Sequence, residues 1–174
     1  MAVDRKREYG QYFTTDSIWL KPHIDSHIQY LSKKYTICFD PFAGDGHLLK
    51  IAKKFDLNII GCDIDSDICI SNNWNQNDSL RNLDAHKDTF ILTNPPYLAK
   101  NSAKRLGSEM ISYFSRDLLN KQSDSEYKIL DDLFKIAITK GIENYEDSIW
   151  IVPESGIQDL ENLPQWKNNL HSVT

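Results

Sequence analysis

The sequence predicts an α/β fold built on a doubly wound parallel sheet, and three observations carry that prediction. Short apolar runs alternate with segments of helical periodicity. The runs are apolar at nearly every position, as strands covered on both faces are. Each run also stops at Asp, Asn or Pro, residues that end strands and begin turns.

Taken in order, residues 16–31 suit a helix with Pro22 in its first turns. Thr36-Ile37-Cys38-Phe39 reads as the first strand and stops at Asp40-Pro41. Gly46 to Phe55 is a helix that puts Leu48, Leu49, Ile51, Ala52 and Phe55 on one face and lysines opposite. Asn58-Ile59-Ile60-Gly61-Cys62 is the second strand, stopping at Asp63, and a weaker strand precedes Asp78-Ser79. Thr89-Phe90-Ile91-Leu92-Thr93 stops at Asn94-Pro95-Pro96. Residues 99–126 are polar and read as a loop flanking a short helix around Met110 to Leu119. Residues 127–142 form a helix stopped near Gly141, and Ser148-Ile149-Trp150-Ile151-Val152 is a last strand ending at Pro153.

Composition narrows the function classes. A chain of 174 residues, 40% hydrophobic and 26% charged, suits one domain with a real core. No apolar stretch is long enough for a membrane span, and MAVDRKREYG is too charged for a signal peptide. Three cysteines, Cys38, Cys62 and Cys69, lack metal-type spacing; buried, reduced thiols and a cytoplasmic location are expected, with no metal site. The net charge of −5 opposes a surface that grips nucleic acid throughout, although Arg5-Lys6-Arg7 and Lys100 with Lys104-Arg105 are locally basic.

In an open α/β sheet, ligands bind outside the carboxyl ends of the strands. Asp40, Asp63, Asp78 and Asn94 all fall at that edge. In Asp40-Pro41-Phe42-Ala43-Gly44-Asp45-Gly46, two glycines allow a tight turn and close approach to a ligand, though a plain glycine turn reads the same. The third glycine of a dinucleotide fingerprint is replaced by Leu49, and Asp40 suits a cationic amine better than a pyrophosphate. Asp63 can accept both hydroxyls of a ribose, with Ile64 offering an apolar face to an adenine ring. Asp78, followed by Ser79, can accept from the adenine amino group, and it is also an ordinary turn residue.

Thr93-Asn94-Pro95-Pro96-Tyr97 is the most specific stretch. A residue before proline is held out of the α region, so Asn94 and Pro95 are both extended. That backbone can present the Asn94 side-chain oxygen and the Pro95 carbonyl as converging acceptors. An aromatic amine is a poor nucleophile, and two acceptors on its N–H groups favour a pyramidal nitrogen. Tyr97 can stack on a base flipped from a duplex, a contact worth roughly 1–3 kcal/mol.

With Asn94-Pro95-Pro96-Tyr97, the Asp40–Gly46 loop and Gly10-Gln11-Tyr12-Phe13-Thr14-Thr15 in this order, the chain resembles the gamma class of N6-adenine DNA methyltransferases of restriction–modification systems. Asp131-Asp132-Leu133-Phe134 and Ile151-Val152-Pro153-Glu154 extend the likeness along the chain. The resemblance implies a Rossmann-like S-adenosylmethionine-dependent methyltransferase sheet across residues 1–174, of mixed seven-stranded type and lacking its last strands. It implies S-adenosyl-L-methionine as cofactor, with Tyr12, Phe13 and Thr14 on the methionine part, Asp40 on its amino group and Asp63 on the ribose. Gly44 and Gly46 allow close approach, Asp78 holds the cofactor adenine, and Phe42, Ile64, Ser79 and Asn94 complete that set. Asn94, Pro95, Pro96 and Tyr97 hold the target adenine of DNA. The likeness further implies a target-recognition domain, absent from this stretch; a missing C-terminal domain or a separate recognition subunit then supplies it. Asn-Pro-Pro-Tyr also occurs in protein-glutamine and RNA methyltransferases, and a cofactor-binding fragment inactive without a partner is the remaining alternative.

Overall fold

Parallel strands form where apolar runs can be covered on both faces, as in β1 (Ile37–Asp40), β2 (Asn58–Asp63) and β4 (Thr89–Thr93); β3 (Asn75–Gln76) is short, polar and exposed, and β5 (Ser148–Trp150) is half-buried. They pair in the order β3-β2-β1-β4-β5, and every pairing is parallel. The computed structural model describes residues 22–119 and 128–153, together with Gly156, Gln158 and Trp166. Among these, residues 22–94 and 144–150 form one compact unit, which holds the whole sheet. Residues 95–119, 128–143 and those from 151 onward form a second.

In the sheet unit, α1 (Pro22–Leu31) begins at the proline, whose fixed φ suits a first turn. The loop after β1 enters α2 (His47–Ala52), which tightens into a 3-10 turn at Lys53–Phe55. Leu48, Leu49, Ile51 and Ala52 of α2 are buried as their spacing predicts. After β2, Asp65 caps α3 (Ser66–Asn72) by accepting from the Asp67 and Ile68 amides. Phe39, Cys62, Ile91 and Tyr145 pack as one buried cluster, with Ile60, Leu83 and Trp150 against it. At the amino ends of the strands, Lys34 reaches Glu146 at 2.8 Å and Asp147 at 2.7 Å, and the Tyr35 hydroxyl donates to Asp147 at 2.7 Å.

The second unit holds α4 (Lys100–Leu106), a 3-10 helix (Glu109–Phe114), α5 (Arg116–Leu119) and nearly all of α6 (Leu133–Asn144). Three expectations are corrected here. Residues 100–106 are helical rather than loop, closed by Gly107 in the left-handed region at φ 63°. Their composition hides this, because only Ala103 of the helix is buried. The helix expected over 127–142 is interrupted: Lys128 and Ile129 are helical, residues 130–132 are not, and a helix starts again at Leu133, where Asp132 accepts from the Phe134 amide at 3.4 Å. The last strand is also shorter than expected, ending at Trp150, the partner of Thr93; beyond Thr93 the chain meets Pro95, which has no N–H to donate.

Candidate active site at the carboxyl edge of the sheet

From β1 the chain moves outward through β2 to β3, then returns to the other side of β1 for β4 and β5. The order therefore reverses between β1 and β4, and such a switch point is where open α/β sheets leave a crevice. Asp40 ends β1 and Thr93 ends β4, so the glycine loop and Asn94 leave the same carboxyl edge from neighbouring strands.

A hydrogen bond spans those two strand ends. The Thr93 hydroxyl, fully buried, donates to Asp40 Oδ1 at 2.5 Å, and the Phe42 amide donates to the same oxygen at 3.0 Å. Burial pushes the Asp40 carboxyl up to about 7, against the opposing pull of those two donors. At 1% exposure, Asp40 holds the loop and the neighbouring strand together.

The loop then turns through Gly44 and Gly46, both left-handed at φ 48° and 70°. The Ala43 amide donates to the Cys62 carbonyl at 2.8 Å, and the Gly44 amide to Asp63 Oδ2 at 3.0 Å. Asp63 Oδ1 accepts from the Asp65 amide at 2.9 Å. Burial raises the Asp63 carboxyl, while the Asp65 and Gly44 amides favour its charged form. The Ile64 amide is a third backbone donor to this carboxylate, which is 6% exposed. Ile64 beside it is 40% exposed, an apolar surface open to a ring. Asp78 pairs with Arg81 at 3.1 Å, and buried Ser79 accepts from Asn77 at 3.3 Å.

Asn94 is half-buried and belongs to the sheet unit; Pro95, Pro96 and Tyr97 belong to the second unit. There the Tyr97 hydroxyl donates to the Ile151 carbonyl at 2.5 Å, and its ring packs on Phe134 at a centroid distance of 5.9 Å. Burial raises the Tyr97 phenol well above its ordinary value, with nearby Asp132 adding to the effect, so it stays a neutral donor. Asp132 Oδ1 accepts from the Leu98 amide at 3.1 Å, and the Leu133 amide donates to the Leu98 carbonyl at 3.3 Å. The segment after Asn94 is thus tied down at several points.

Residues 21–73 match the family model N6_N4_Mtase, described as a DNA methylase. That match supports a DNA methyltransferase. It spans less than a third of the chain, covering α1, the glycine loop, Asp63 and Ile64 and stopping before Asp78 and Asn94-Pro95-Pro96-Tyr97. No curated protein matches the chain.

Tyr12, Phe13 and Thr14 lie outside the described residues. Among the described residues, no group of three or more His, Cys, Asp or Glu is arranged to hold a metal ion, and no helix is long and apolar enough to cross a membrane. Sequence reasoning missed Thr93, Trp74 and the structural task of Asp132. Thr93 reads as one more β-branched strand residue, and nothing local marks its hydroxyl for Asp40.

Proposed function

We propose that this chain carries the catalytic centre of an S-adenosylmethionine-dependent DNA methyltransferase acting on N6 of adenine, as in the modification arm of a restriction–modification system. The single observation that carries this reading is the Thr93–Asp40 hydrogen bond, which joins the strand leading into Asn94-Pro95-Pro96-Tyr97 to the glycine loop across the switch point. The match to a DNA methylase family over the loop segment supports the same reading.

The residues suit the cofactor chemically. Asp63 and exposed Ile64 offer a hydroxyl acceptor and an apolar surface side by side, and glycines supply the turn beside them. When bound, S-adenosylmethionine supplies an electrophilic methyl group on a sulfonium. Asn94 and the Pro95 carbonyl accept the two N–H groups of the target amine and aim its lone pair, while Tyr97 stacks on the base. Positioning of this kind needs no strong general base. DNA is the macromolecular partner.

Tritiated methyl transfer to DNA, with the modified base identified by mass spectrometry, tests the proposal. N6-methyladenine is expected. N4-methylcytosine would move the substrate to cytosine, and label confined to protein or RNA would sink the DNA reading. Asn94→Ala is expected to lower methyl transfer about a hundredfold or more while cofactor affinity survives. Asp63→Ala is expected to weaken cofactor binding about 10–100-fold, measured by calorimetry.

A further inference from the structure

We propose that Trp74 is the positioning residue of the glycine loop, setting the conformation in which Gly44 and Asp63 meet a ligand; this rests on reading that loop as the cofactor loop. The indole Nε1 donates to the Gly44 carbonyl at 3.0 Å, thirty positions away in sequence. The ring occupies the space that side chains at two glycines would need. A Cβ on Gly46 would lie 2.5 Å from Trp74 Cζ2, and one on Gly61 would lie 2.6 Å from Trp74 Cδ2. Glycine at these positions is therefore required by an indole inside the molecule, before any ligand arrives.

Trp74 is itself firmly placed. Asn73 closes α3 in the left-handed region at φ 58°, and the Trp74 amide donates to the Cys69 carbonyl at 2.9 Å. Asn75, the next residue, pairs with Cys62 in the sheet. The indole thus bridges the α3–β3 junction to the loop after β1. Gly44 is held from both sides: its amide donates to Asp63 Oδ2 at 3.0 Å and its carbonyl accepts from Trp74. A left-handed glycine without such restraints can rotate its peptide groups at little cost. Removing the indole N–H frees the carbonyl, and the motion reaches Asp63 through the same residue.

Trp74→Phe keeps most of the ring and deletes the donor. Calorimetry with S-adenosylmethionine on the full chain is expected to give a Kd about five- to tenfold above wild type, the effect of one hydrogen bond. In methyl-transfer kinetics the KM for S-adenosylmethionine rises and kcat at saturation holds, a split that a general loss of stability does not produce. An unchanged Kd and KM in folded Trp74→Phe would overturn the inference. Failure of the wild-type chain to bind S-adenosylmethionine would instead remove the cofactor reading, and this inference with it. A second measurement needs no substitution. The Trp74 indole ¹H–¹⁵N cross-peak, assigned by its contacts to Gly46 and Gly61, is expected to shift during S-adenosylmethionine titration and to exchange slowly with solvent; a saturated complex that leaves it unmoved overturns the inference.

Discussion

Asp40 is a carboxyl with almost no solvent, and its energetics follow from that. Its ordinary value is 3.8, and burial lifts it to about 7 in the folded chain. Between about pH 4 and 7 the unfolded chain has released this proton while the folded chain retains it, so stability falls as pH rises through that window and levels off above it. Asp63 and Asp132 shift upward for the same first reason, burial, and contribute with the same sign. Comparing wild type with Asp40→Asn isolates the one group: urea unfolding at pH 5 and pH 7.5 is expected to show a smaller fall in the variant. Thr93→Val is expected to cost about 1–3 kcal/mol, because it leaves a buried acceptor short of a donor. Neither effect is legible in sequence. Asp at a strand end is common, and its neighbour across the sheet is a matter of pairing.

At the scale of elements, the glycine loop and its helix show how a backbone requirement and a packing requirement coincide. Gly46 and Gly107 both adopt left-handed conformations, at φ 70° and 63°. A Cβ at Gly46 would meet Trp74, whereas one at Gly107 would meet nothing within 4 Å. Gly107→Ala is therefore expected to cost roughly 1–2 kcal/mol, the backbone penalty alone. Gly46→Ala is expected to cost roughly 2–5 kcal/mol, that penalty plus overpacking. Equal losses in denaturant midpoint would mean that Trp74 yields without cost. Strands were the most legible elements: Thr89–Thr93 is read from the sequence with the bounds found in the structure. Helices with few buried residues were the least, as α4 shows, since the period of a mostly exposed helix leaves little apolar signature.

At the scale of the whole molecule, the three cysteines report on the sheet unit. Cys38, Cys62 and Cys69 are free and 0%, 1% and 5% exposed. Burial raises all three thiols, Cys38 the most, which suppresses the reactive thiolate. A thiol-reactive dye is expected to label none of them rapidly in the native chain and all three after unfolding, with reductant leaving the melting temperature unchanged. Fast native labelling would show that the unit opens readily. The strands, the polar residues that end them and the Asn94-Pro95-Pro96-Tyr97 stretch are legible in the amino-acid order alone, because apolar period and proline chemistry act over a few neighbouring residues. Folding in three dimensions sets β1 beside β4, bonds Thr93 to Asp40 across 53 positions, and puts Trp74 in the space at Gly46 and Gly61. Those choices depend on which distant surfaces pair and which side chain fills a given gap, and no local pattern in the chain encodes them.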